Sequence, residues 1–298
     1  MNVSPGGERS RYPDGMAVMP DRDECVEQAF FFRSLRDRLL DGGSAWDLLN
    51  RAHEEILSTT KLPYAIQFLA AELKHAGVLA SGFRKLPHYF TPYQAFVIGQ
   101  AEDERSRLTI TTGLQILERE ATYKANSPTP TGLFIYQFET IARNRMGYDE
   151  GLDAIGRDPF YPPEWAGYID IVRRQVGAID FCDLVYLRSQ LYVIDQRRLT
   201  PDYEPPVPVI FGEKEGKIAK ASRGRDPLFL FAALQRQLGY PEVPRIREKT
   251  DLTAKLEFIV TKLAQLEQRL KLAEGELRGQ VDLSEFGAPE LFRDIKDD

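Results

Sequence analysis

Between Leu252 and Leu277 the chain reads LTAKLEFIVTKLAQLEQRLKLAEGEL. Leu256, Leu263, Leu270 and Leu277 recur every seventh residue, and Leu252, Ile259, Leu266 and Ala273 recur in the same way four residues before them. Alternating steps of four and three place both sets on one narrow stripe of a helix, the pattern of a coiled coil. A single helix cannot remove such a stripe from water, so the residues predict a partner helix. The oligomerisation seam is therefore assigned to Leu252, Leu256, Ile259, Leu263, Leu266, Leu270 and Leu277.

The flanking charges choose an orientation. Lys255, Lys262, Arg269 and Glu276 lie on one flank, and Val260, Glu267 and Glu274 on the other. In a parallel pair of identical chains each flank residue meets the opposite flank five positions later, which sets Lys262 against Glu267 and Arg269 against Glu274. An antiparallel pair would set like charges together. Each exposed pair contributes only about 0.3 to 0.5 kcal/mol, but the two arrangements differ in sign. Parallel self-association is the expectation, with the number of strands left open by leucine at both seam positions. The competing reading packs this helix on its own domain, because Phe258, Val260 and Leu272 widen the apolar stripe beyond the seam.

The remainder of the chain predicts a mainly α protein. Capping chemistry and helical spacing mark helices at about 22 to 41, 45 to 58, 63 to 76, 92 to 106, 107 to 124, 132 to 146, 163 to 176, 181 to 198 and 227 to 239. Almost nothing alternates with period two. The expected organisation is a flexible tail over 1–20, a helical domain over 21–199, and a proline-rich, basic arm over 200–226. A short helix and connector over 227–249, the coiled-coil helix over 250–280 and a tail over 281–298 complete it. Pro201, Pro205, Pro206 and Pro208 open the arm, and the whole stretch from Thr200 to Arg225 is expected to be irregular.

With 298 residues, 43% of them hydrophobic, the chain is long enough for a substantial core. A formal charge of -6 argues against a protein working mainly through attraction to nucleic acid or an anionic membrane. Cys25 and Cys182 are too few for a disulfide scaffold, and the longest apolar run, Leu228 to Leu234, is far too short to span a bilayer. A cytoplasmic protein without a membrane segment is the expectation.

Candidate chemistry is sparse. His53-Glu54-Glu55-Ile56-Leu57 begins like a zinc-protease helix, but Leu57 stands where the second histidine belongs. Glu72 and His75 have the acid-to-histidine spacing of a di-iron bundle, with Glu55, Glu102 and Glu118 as possible further acids, yet the second such pair is missing. Gly212 to Ile218 resembles a phosphate loop that is one residue short and lacks the metal-binding hydroxyl. No catalytic residue, metal ligand set or cofactor is assigned.

Lys217, Lys220, Arg223 and Arg225 concentrate positive charge in an acidic protein and are the candidate anion-binding residues. Aromatic and proline-rich turns at 87–93 and 158–165 suit either core caps or recognition surfaces. The leading expectation is a non-catalytic scaffold or adaptor that forms a homo-oligomer and takes a protein partner. A helical enzyme with a carboxylate and histidine site, and a nucleic-acid or polyanion module using residues 212–225, are the alternatives.

Overall fold

Side chains that satisfy free backbone N-H groups open most of the helices. The computed structural model describes residues 20–245 and, beyond them, 260, 262, 263, 266, 267 and 270. Asp21 accepts from the Glu24 N-H at 2.8 Å and starts α1 (Arg22–Leu40). Ser44 precedes α2 (Ala45–Glu55) but makes no capping bond with its side chain. α3 (Leu62–Ala76) ends at Gly77, whose φ of 73° is left-handed. α4 (Leu79–Lys85) has its first two N-H groups, at Leu79 and Ala80, taken by the Glu102 carboxylate at 2.6 and 2.8 Å.

Thr91 and Gln94 cap α5 (Pro92–Glu102) reciprocally. Thr109 opens α6 (Ile110–Ala125), and Thr129 opens α7 (Pro130–Arg143). α8 (Tyr148–Gly156), α9 (Pro163–Gln175), α10 (Phe181–Tyr186), α11 (Gln190–Leu199), α12 (Glu213–Ser222) and α13 (Pro227–Leu238) follow. Among the described residues there is no β-strand, only the isolated bridges of Val176 with Ile179 and of Ser189 with Phe211.

Three features differ from the sequence reading. The single helix expected over 181–198 is two, because the chain breaks at Leu187-Arg188-Ser189. The break frees backbone for another segment: the Ile210 and Phe211 N-H groups donate to Arg188 O at 2.8 and 3.0 Å, and Gln190 N-H donates to Phe211 O at 2.9 Å. Ser189 then caps α11 while its hydroxyl donates to Tyr186 O. Second, the irregular stretch expected from Thr200 to Arg225 contains α12, so only the part before it, opened by the prolines, and residues 223–225 after it are without helix.

Third, α4 and α8 were not expected. α4 contains Gly82, which weakens a helical pattern; a methyl group there would stand 2.7 Å from Leu69 Cδ2, so the glycine serves the packing of α4 on α3.

α1 lies along α6, α2 on α3, α8 on α9, and α12 packs on both α10 and α13. An aromatic chain joins the later helices: Phe138 and Phe181 stack with centroids 3.9 Å apart, Phe181 meets Phe231 at 6.1 Å, and Trp165 and Tyr168 enclose Phe211. Each is buried or partly buried in one continuous core. After α13 the chain returns over α6 and α7, where Tyr240 OH donates to Glu139 at 2.6 Å and Asn144 Nδ2 donates to Pro244 O at 3.0 Å. The chain divides into two units, Met1–Ile246 and Arg247–Asp298. Among the described residues no helix is long and apolar enough to cross a membrane.

Candidate functional site

A cleft of about 590 Å³ is lined by α4, α5 and α8, with Arg173 of α9 also reaching it. That volume lies in the range of small-molecule sites, roughly 300 to 1,000 Å³. The proline and aromatic turn before α5 forms part of the wall. Phe83 and Phe90 stack at 4.2 Å, and Pro92, Ala95 and Phe96 supply the lining from α5. Two glycines allow close approach: a methyl group at Gly151 would lie 3.1 Å from Phe96 Cε1, and one at Gly99 would lie 3.0 Å from Arg84 Nη2.

Charges in the cleft are mostly paired. Arg157 meets Asp153, and Arg173 reaches Asp149 at 3.5 Å, Asp153 at 4.0 Å and Asp170 at 3.2 Å. Burial works upward on the Asp170 carboxyl, but the guanidinium groups of Arg173 and Arg174 outweigh it and hold the acid below its ordinary value. Arg84 and Glu150, both exposed, make no ion pair with any described residue.

A second polar group lies in the core. Glu120 on α6 accepts from Gln137 Nε2 at 2.7 Å and from Lys124 Nζ at 3.1 Å. Lys124 also reaches Asp158 at 3.0 Å, and Tyr161 OH donates to Gln137 at 2.6 Å. Glu120 Oε2 and the Tyr93 hydroxyl are buried without a hydrogen-bond partner. Two carboxylates share one ammonium, so one negative charge is in excess. Burial pushes the Glu120 carboxyl above its ordinary value, with Lys124 pulling against it. Burial works downward on Lys124, but Asp158 and Glu120 prevail and its ammonium is held above its ordinary value.

The residues singled out from sequence do not come together. Lys217 pairs with Glu213 at 2.6 Å within α12, Lys220 pairs with Asp195 at 2.6 Å, and Arg223 pairs with Asp183 at 2.5 Å while lying 4.4 Å from the Tyr186 ring centroid. Arg225 makes no ion pair among the described residues. Glu72 is held by Lys85 and Ser81, which keep its carboxyl below its ordinary value. Glu55 pairs with Arg38, Glu118 with Arg33 and Arg36, and Glu102 caps α4. Among the described residues no three metal-ligating side chains converge. Burial raises the Cys25 thiol to about 11 and the Cys182 thiol to about 12, keeping both protonated near neutrality.

The proposed seam is described in part. Leu252, Leu256, Ile259 and Leu277 lie outside the described residues, while Val260, Lys262, Leu263, Leu266, Glu267 and Leu270 are helical. Leu263, Leu266 and Leu270 are 55%, 57% and 62% exposed.

Sequence reasoning missed the cleft, because Arg84 and Glu150 look like ordinary surface charges and only the packing of α4 and α8 on α5 sets them around one cavity. It also missed the buried cluster, for which a signal exists: Glu120 and Lys124 continue the helical spacing of the apolar Ile116, Leu117 and Ala121. Compared with models of protein families, with curated proteins and with solved structures, the chain matches none of them.

Proposed function

We propose that the protein is a scaffold or adaptor that self-associates through its C-terminal heptad helix, in parallel. The observation that carries this reading is the exposure of Leu263, Leu266 and Leu270, three successive seam residues that are each helical and belong to the unit Arg247–Asp298. A leucine stripe more than half open to water is a surface awaiting another helix. A second copy of this chain is the occupant that the flank charges favour, since a parallel register sets Lys262 of one copy against Glu267 of the other.

The test is the mass of the full chain in solution. At micromolar concentration the wild type is expected to sediment as an oligomer, and the variant with Leu263→Asp and Leu266→Asp as a monomer. Each buried leucine contributes roughly 1.5 to 3 kcal/mol and appears once per subunit. A wild type that sediments as a monomer refutes the reading.

A further inference from the structure

The cleft lined by α4, α5 and α8 combines three properties. Its acidic lining residues, Asp149, Glu150 and Asp153, are matched by Arg84, Arg157 and Arg173, so no net charge favours a simple anion or a simple cation. Four of these six charges are answered by internal partners, and the two left over are of opposite sign: the guanidinium of Arg84 on α4 and the carboxylate of Glu150 on α8. In the same lining α5 presents partly exposed apolar surface at Pro92 and Phe96.

A ligand that satisfies all three properties carries a carboxylate, an ammonium group and an apolar body. We propose that this cleft binds a small zwitterion of that kind, a short apolar peptide with free termini. The carboxylate meets Arg84, whose planar fork suits bidentate pairing, and the ammonium group meets Glu150. The apolar side chains lie on Phe96 and Pro92, the partly exposed apolar residues of that lining. Gly99 contributes by leaving α5 bare where the Arg84 guanidinium approaches it. This inference is independent of self-association, since every group it uses belongs to the unit that precedes the heptad helix.

The experiment is calorimetric titration of the full-length protein with the dipeptide phenylalanyl-phenylalanine, its C-terminal amide and its N-acetyl derivative. The free dipeptide is expected to bind at millimolar concentration or below. Amidation should weaken binding to the wild type about tenfold, and acetylation by a similar factor, the size expected for one charge-assisted contact. Arg84→Gln should lose the same factor for the free dipeptide and no longer distinguish it from the amide. Glu150→Gln should no longer distinguish it from the acetylated form.

Because both positions are exposed, the variants should melt as the wild type does, and the blocked ligands probe the same contacts without altering the protein. Absence of binding by the free dipeptide at millimolar concentration overturns the proposal. So does equal affinity for free and blocked forms, which would mark a purely apolar groove, or retention of wild-type discrimination by both variants.

Discussion

At the scale of single residues, two positions separate what a side chain prefers locally from what its neighbours require. Glu120 is a carboxyl held in the core with one oxygen unpartnered, and its burial favours the protonated form. A folded-state pKa raised above the unfolded value stabilises the protein fully below the unfolded value, and that stabilisation is lost as pH rises through the folded one. Thermal melting of the wild type should therefore fall relative to Glu120→Gln as pH increases from about 4.5, the ordinary range of glutamate. The glutamine variant keeps the shape and removes the titration. Parallel melting curves for the two proteins across that range would show that Glu120 stays ionised in the core.

Gly216 gives a test of opposite sign to its helix propensity. Alanine in place of glycine inside a helix contributes about 1 kcal/mol. At Gly216, however, a methyl group would stand 2.8 Å from both Leu191 Cβ and Ser189 Cβ, and overpacking costs about 1 to 3 kcal/mol. Gly216→Ala should lower stability, whereas Gly167→Ala on α9, where a methyl group meets nothing within 4 Å, should raise it by several tenths of a kcal/mol. Denaturant midpoints of the two variants should move in opposite directions.

At the scale of elements, the break between α10 and α11 and the helix α12 explain each other. Opening the helix at Arg188 supplies carbonyl and amide groups to residues 210 and 211, which seats Phe211 beside Trp165 and Tyr168. α12 then packs against α10 and α11, and its basic residues divide into two kinds. Lys220 and Arg223 face α10 and α11 through Asp195, Asp183 and the Tyr186 ring, while Lys217 pairs only along its own helix. Reversing Lys220 and Arg223 to glutamate should lower the melting temperature, because it sets like charges against Asp195 and Asp183. Reversing Lys217 and Arg225 should leave it nearly unchanged. Equal shifts in the two double variants would mean that the contacts of α12 with Asp195 and Asp183 contribute nothing.

At the scale of the whole molecule, the described residues of the unit Met1–Ile246 form thirteen helices, and the heptads belong to the unit Arg247–Asp298. The Leu263→Asp and Leu266→Asp variant distinguishes the two readings of the C-terminal helix. Between chains, the substitutions change the subunit number and leave the body's melting transition in place once dissociation is allowed for. Within a chain, they lower that transition and leave the subunit number as it was. Sedimentation and calorimetry on the same sample separate the two outcomes.

The sequence by itself determined that the protein is helical, and where most helices begin. Asp21, Thr91 and Asp226 each bond an N-H group two or three residues ahead, a preference that needs no distant partner. The heptad spacing and its flank charges were likewise visible, because the side chains on one helical stripe follow from spacing alone. Tertiary structure alone decided what depends on contacts between distant segments: the break at Leu187-Arg188-Ser189, the tolerance of Gly82 inside α4, the burial of Glu120 and Lys124, and the gathering of Arg84 and Glu150 around one cleft. Local preferences are small beside the cost of an unpaired buried amide or an overlapping side chain, so where the two conflict the packing prevails.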